Sequence, residues 1–309
     1  MDLISIVVPF LNEEGCILKY CDFIDGFSKD KPFKVEVVFV DDGSTDDTCH
    51  MINVYEFKYC QSVKLVQLSK NCGSHMAMRA GILHSSGDYT TFVGADLQEP
   101  DDMVSTMYTA IMNNLDAVYI EKSSVKISAL ENAFSSLFSF LVKRYAVEGY
   151  GSGGINNIMF NSKIKEYLNN NVELNSSLML QIINAGFKST TILMDYKNRF
   201  AGVSKWTLSK KIKIFIDSFV SFSFVPIRLV SIVGILMFII GILFGISIVV
   251  NRLIHPYVPV GFPTLASLIV IGFGITNISL GIIAEYLWRT LDAARARPAF
   301  IVSDIKEIK

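Results

Sequence analysis

Short β-branched runs divide the first hundred residues, and each run closes on a cluster of small and acidic side chains. The runs "ISIVVPF", "KVEVVFVDD", "VKLVQLS" and "DYTTFVGAD" predict four strands. Between them lie helix signals. Asn12 is placed as an N-cap with Glu13 and Glu14 in the first turn, and Ser44 or Thr45 as the cap of a second helix favoured by Asp46 and Asp47. "NCGSHMAMRAGILHSSG" predicts a third helix ending near Gly87. Strands alternating with helices imply βαβ units and a parallel sheet covered on both faces. Beyond Asn113, "DAVYI" predicts a strand and "LENAFSSLFSFLVKRYA" an amphipathic helix. "GYGSGGINNIMFN" reads as a glycine-rich turn entering another strand.

The pattern changes near the C-terminus. Leu229 to Asn251 carries no charge, and neither does Pro256 to Ala284; about 20 apolar residues suffice to cross a bilayer. Lys205, Lys210, Lys211, Lys213 and Arg228 precede the first span and Arg289, Arg295 and Arg297 follow the second, which places both termini in the cytoplasm. From Trp206, the positions Leu208, Ile212, Phe215 and Phe219 form an apolar stripe among lysines, predicting a helix in the membrane interface. The domains expected are therefore 1–200 catalytic, 201–228 interfacial, 229–288 a transmembrane hairpin and 289–309 a cytoplasmic tail. Apolar residues make up 51% of the chain, and the two spans hold the excess. "MDLISIVVPF" is no signal peptide, because Asp2 and the polar sequence after it break the pattern. The five cysteines have no metal-like spacing and read as free thiols; the net charge of −1 gives no sign of nucleic-acid binding.

In parallel sheets ligands bind beyond the carboxyl ends of the strands. The polar residues there are Pro9 to Glu13, Asp41 to Thr45, Ser69 to Gly73 and Asp96 to Glu99, and no glycine-rich phosphate loop of a common type accompanies them. In "TFVGADLQEP", Asp96 and Gln98 stand two apart in what reads as an extended segment, so both side chains point one way. A carboxylate and a carbonyl oxygen are hard ligands suited to Mg²⁺ or Mn²⁺, with substrate phosphates completing the shell. Asp101 and Asp102 are assigned to the start of the next helix.

The stretches "SIVVPFLNEE", "VVFVDDGSTDDT", "LSKNCGSHMAMRAGI", "GADLQEPDDM", "RFAGVSKW", "FSFVPIRL", "EYLWRT" and "RPAF" occur in an order that resembles the family 2 glycosyltransferases of the polyprenyl-phosphate branch, which includes dolichol-phosphate mannose synthases and bacterial undecaprenyl-phosphate glucosyltransferases. The resemblance covers nearly the whole chain. It implies an α/β fold of the GT-A type, a Rossmann-like and mostly parallel sheet, followed by the interfacial helix and two transmembrane helices. It further implies that Pro9, Asn12, Glu13, Asp41 and Asp42 line the nucleotide and that Asp96 and Gln98 hold the metal. Arg199, Ser204 and Lys205 would contact the donor or acceptor phosphates. Two departures stand out. The family's Asp-x-Asp-x-Gln has Gly94 in first place here, and Asn156 stands nearest to a proposed catalytic Asp. Lys122 and Lys126 are weaker candidates for the acceptor phosphate.

Together these features imply an inverting transferase at the inner membrane, moving a sugar from a nucleotide-diphosphate sugar, by preference a UDP-sugar, to polyprenyl phosphate. Its product would enter O-antigen, teichoic acid or another envelope glycan through a separate flippase and a downstream glycosyltransferase. A homo-oligomer is compatible with this. Gly94 and Asn156 motivate one alternative, an impaired membrane adaptor that binds nucleotide sugar. A hydroxyl-directed glycosyltransferase is another, and would need a carboxylate base that no matching position supplies.

Overall fold

The computed structural model describes residues 1–123, 155–173, 177–197, 225–254, 261–295 and 297–309. The chain divides into two compact units, Met1–Phe219 with Pro298–Lys309, and Val220–Arg297.

The first unit is built on one eight-stranded sheet: β1 (Leu3–Phe10), β2 (Lys34–Asp41), β3 (Ser62–Leu68), β4 (Tyr89–Phe92), β5 (Ala117–Lys122), β6 (Ile155–Asn161), β7 (Ser189–Met194) and β8 (Val302–Glu307). Their spatial order is β7-β5-β6-β4-β1-β2-β3-β8. β4, β1, β2 and β3 are mutually parallel, as are β5 and β7. β6 runs antiparallel between β4 and β5, and β8 antiparallel against β3, so the sheet is mixed. The helices are α1 (Ile17–Ser28), α2 (Thr48–Val54), α3 (Ser74–His84), α4 (Met103–Ile111), α5 (Ser162–Asn170) and α6 (Leu178–Asn184).

β1 and β2 are buried on both faces, which is why their sequences run apolar without alternation. Ile4, Ile6 and Val8 share a core with Ile17, Tyr20 and Ile24 of α1, with Val37 and Phe39 of β2 and with Met103 and Met107 of α4. Pro9 is tolerated in this central strand because the β4 ladder has already ended at Val7 opposite Phe92, so its missing N–H faces no partner strand.

Two helix starts differ from the expectation. α1 begins at Ile17, not just after Asn12, and α2 begins at Thr48, beyond Ser44 and Thr45. The side chains expected to cap helices are used in the loops themselves, as described below.

The segment Val302–Glu307, expected as part of a tail, forms the edge strand β8: Val66 pairs with Ile305 and Leu65 with Lys306. β-branched Ile and Val suit it for a strand, and Asp304, Lys306 and Glu307 put charge on the exposed edge, which discourages further pairing.

In the second unit, α7 (Val225–Ile254) and α8 (Phe262–Arg295) contain windows long and apolar enough to cross a membrane, Ile227–Ser247 and Ile271–Asp292. Pro226 and Pro263 sit in the first turns, where a missing N–H costs nothing. The second helix runs past Ala284, where the uncharged run ends, and Glu285 there pairs with Arg289 at 2.9 Å, one turn on. Leu229, Ile232, Ile235 and Leu243 are exposed, as lipid-facing side chains would be. The expected interfacial helix lies outside the described residues up to 224.

At the end of the sheet away from the β1–β4 carboxyl termini, Glu36 of β2 is fully buried. It pairs with Lys64 at 2.8 Å and accepts hydrogen bonds from the Ser5 hydroxyl and from the N–H (2.7 Å) and hydroxyl of Ser86. Burial opposes its charge, but the Lys64 ammonium and these donors outweigh it and hold the carboxyl below its ordinary value. Removing one partner of such a pair leaves the other uncompensated. Glu36→Gln should therefore lower the unfolding free energy of the full chain in detergent by about 3 kcal/mol. Because the folded value is depressed, this stabilisation is complete above the unfolded value of 4.5 and is lost as the pH falls through the folded one. Denaturation of the two proteins as a function of pH should show a gap that is constant near neutrality and closes in acid.

Candidate active site

Because β4, β1, β2 and β3 are parallel neighbours, their carboxyl ends open onto one edge, where four loops meet. Side-chain to backbone bonds knit these loops together. Asn12 takes a left-handed conformation (φ 51°), accepts the Thr45 N–H at 2.8 Å and donates its own N–H to Ser44 Oγ at 2.9 Å. It thus links the β1 and β2 loops instead of capping a helix. The Glu13 N–H donates to Thr48 Oγ1 at 3.0 Å, and Asp41 Oδ1 accepts the Ser44 N–H at 2.8 Å. Asp42 Oδ1 accepts the Cys72 N–H at 2.7 Å, and Asp42 Oδ2 the Gly73 N–H at 3.0 Å, fastening the β3–α3 loop. Gly43 lies between them at φ +83°, with Asn71 N only 2.8 Å from where a Cβ would stand, so both its conformation and its space demand glycine. The structure therefore brings Pro9, Asn12, Glu13, Asp41 and Asp42 to one edge. It uses the buried Asp41 and Asp42 as loop tethers, a role that strand-end position alone does not reveal.

The acidic stretch is a turn, not an extended segment. β4 stops at Phe92, residues 95 and 96 turn, and Leu97 is left-handed at φ 56°, so spacing by two does not set the directions of Asp96 and Gln98. Both side chains are half-buried on this turn. The Gln98 carbonyl accepts the Lys197 N–H at 2.8 Å, which anchors the turn to the segment after β7. Asp102 stands at the start of α4 but makes no side-chain cap; Asp101 pairs with Lys197 at 2.5 Å on the surface, where such a pair adds little.

Glu99 is the residue that sequence reasoning left without a role. Its Oε1 accepts the Gly94 N–H at 2.9 Å, while Oε2 is buried without a hydrogen bond of standard geometry. Burial pushes its carboxyl up, the Gly94 N–H opposes this and Asp96 adds to the rise, while its own N–H and the Asn157 side chain oppose it to a lesser degree. Around it, the Tyr20 and Tyr196 hydroxyls are also pushed up, first by burial and then by the Glu99 charge. Buried Asn157 donates to the Phe92 carbonyl at 2.6 Å and accepts from the Tyr196 hydroxyl at 2.5 Å, whereas Asn156 points to solvent. The available signal was a glycine where a carboxylate is expected, followed five residues later by a carboxylate.

A hard cation fits this turn. Asp96 and Gln98 offer oxygens, Gly94 leaves open the space a side chain would fill, and the buried Glu99 Oε2 has no hydrogen bond of standard geometry. Among the described residues no group of three or more His, Cys, Asp and Glu side chains could by itself hold a metal. Lys122, at the end of β5, places its ammonium 4.5 Å from the centre of the Tyr196 ring. Arg199, Ser204, Lys205 and Lys126 lie outside the described residues. The cysteines are free as expected, and burial raises Cys21, Cys49 and Cys60 to about 12, which makes them poor nucleophiles.

Residues 5–188 match the family described as glycosyl transferase family 2. Undecaprenyl-phosphate 4-deoxy-4-formamido-L-arabinose transferase of Shewanella sediminis is 30% identical over 99% of this chain and 93% of its own length. The protein of that name from Yersinia pestis is 24% identical over 98% and 93%. Among solved structures, glucosyl-3-phosphoglycerate synthase from Mycobacterium tuberculosis, in complex with Mn²⁺, uridine diphosphate and glucosyl-3-phosphoglycerate, is 16% identical with a TM-score of 0.48, covering 71% of this chain and 78% of that one. A mannosyltransferase from Pyrobaculum calidifontis in complex with GDP-Man and Mn²⁺ is 20% identical with a TM-score of 0.46, covering 68% and 60%. On the extent of the family match, the chain is a glycosyltransferase and belongs to glycosyl transferase family 2.

Proposed function

We propose that this protein transfers a sugar, with inversion, from a nucleotide-diphosphate sugar to polyprenyl phosphate at the cytoplasmic face of the inner membrane. The observation that carries this reading is the half-buried Asp96–Gln98 turn at the open edge of a parallel sheet, in a chain with two helices of membrane-crossing length. The relatives named for transfer to undecaprenyl phosphate, matched over nearly their whole length, support the acceptor class.

The donor lies across the four loops, its nucleotide against Pro9, Asn12 and Glu13 and within the loops held by Asp41 and Asp42. Asp96 and Gln98 hold Mg²⁺ or Mn²⁺, which neutralises charge on the departing nucleoside diphosphate. An acceptor phosphate oxygen attacks the anomeric carbon from the face opposite that leaving group. The new carbon–oxygen bond forms as the bond to the nucleoside diphosphate breaks. A phosphate monoester is largely dianionic near neutral pH, since its second pKa is about 6, so no side-chain base is required and Asn156 is no obstacle. Arg199, Ser204 and Lys205 serve the phosphates of donor or acceptor, as a cationic loop beside a diphosphate would. Lys122 and Lys126 assist at the acceptor.

The pairing of β8 with β3 supports a topology with both termini on one side, because the chain before and after the helical pair shares one sheet. Two helices offer a poor transport path, which leaves export of the lipid-linked sugar to a separate flippase and its use to a downstream transferase.

Full-length protein incubated with polyprenyl phosphate and labelled nucleotide sugars, UDP-4-deoxy-4-formamido-L-arabinose among them, should move label from one donor into the lipid phase. EDTA should abolish this, and Mg²⁺ or Mn²⁺ should restore it. Asp96→Asn should lower turnover on the order of 10²-fold, equivalent to about 3 kcal/mol of lost charge stabilisation. Turnover unaffected by both EDTA and Asp96→Asn would overturn the metal reading, and label that never enters lipid from any donor would overturn the acceptor.

A further inference from the structure

A side chain at position 94 would begin at a point 3.0 Å from Asp96 Oδ1, 3.2 Å from Glu99 Oε1 and 3.7 Å from Glu99 Oε2. Three oxygens from two carboxylates therefore converge on the space that Gly94 leaves open. The Gly94 N–H bond to Oε1 holds Glu99 in that orientation, the Asn157 side chain lies close enough to the carboxyl to favour its charge, and Oε2, buried and without a hydrogen bond of standard geometry, borders the same space.

We propose that Glu99 supplies a second carboxylate to the divalent cation at Asp96 and Gln98, taking in space the place of the side chain that Gly94 lacks. This rests on the reading of that turn as a metal site. The exchange is reciprocal. A carboxyl at position 94 would collide with Glu99, and Glu99 can reach the cation only because position 94 is empty. Gly94 is then a requirement of this arrangement and not the mark of a lost activity. The distance from residue 99 to the space beside residue 94 is covered by the longer side chain of Glu, and the left-handed Leu97 folds the chain back to allow it.

The test is Mn²⁺ binding to the full-length protein in detergent, read from the loss of the free-ion EPR signal, with Mn²⁺ alone and with Mn²⁺ plus UDP. Glu99→Gln should weaken Mn²⁺ about tenfold or more, as loss of a ligand or its support does. Asp96→Asn should do likewise. Gly94→Asp combined with Glu99→Ala, which empties the space that Glu or Gln at 99 fills, should recover most of the affinity that Glu99→Ala alone loses, by returning a carboxylate to the vacated place. Gly94→Ala removes no charge and no hydrogen-bonding group, yet should weaken Mn²⁺ severalfold by filling the space. It serves as the check should Glu99→Gln fail to fold. If Asp96→Asn weakens binding while Glu99→Gln and Gly94→Ala bind as the wild type does, Glu99 is not a ligand and the metal site stands without it. Failure of the double variant to regain affinity would reduce Glu99 to a prop of the turn and overturn its direct role. Wild-type binding in Asp96→Asn would instead overturn the metal site itself.

Discussion

The parallel alignment of β4, β1, β2 and β3 is the constraint from which the site follows. Parallel strands bring their carboxyl ends to one edge, so four loops that are far apart in sequence must share a small space. Backbone groups in such loops cannot pair within the sheet and need other partners. Asn12, Asp41 and Asp42 supply them, each spending side-chain oxygens on the N–H groups of its own or a neighbouring loop. The edge is thereby shaped before any ligand arrives. That is the condition under which phosphates and a cation can be held without a large ordering cost.

Charge is distributed with equal economy. At the closed end of the sheet a buried carboxylate, Glu36, is fully matched by Lys64 and by hydroxyl and backbone donors, and it stays ionised. At the open end a carboxyl buried at its tip, Glu99, is met by the Gly94 N–H and the Asn157 side chain but also by a neighbouring Asp96, one of its oxygens has no hydrogen bond of standard geometry, and its ionisation is opposed. The same residue class thus serves stability at one end and is held short of partners at the other. A stably folded domain can carry such a deficit where a substrate or an ion completes it.

The two apolar helices are set into the chain between two parts of one sheet. β8 returns from beyond them to pair with β3, so the globular unit is closed only after the helical pair has been made. For a transferase acting on a lipid phosphate this joins the soluble and membrane parts at two points in the chain rather than one.

Much of the molecule was legible in the order of its residues. β-branched runs located six of the strands, because burial on both faces forces continuous apolar sequence, and the uncharged C-terminal stretches marked both long helices, because hydrocarbon tolerates little charge. Strand-end position was enough to bring Asp41, Asp42, Asp96 and Gln98 to one edge. β8 was not legible, since a short charged strand becomes one only when β3 offers its edge. Nor were the true uses of Asn12 and Asp42, whose partners lie about thirty residues away in sequence. Sequence by itself determined the layers, the membrane helices and the chemistry available at the strand ends, because these depend on local periodicity and residue type. Only the tertiary structure decided that oxygens of Glu99 and Asp96 converge beside Gly94, because that relation is a distance between side chains across a turn in which Leu97 is left-handed.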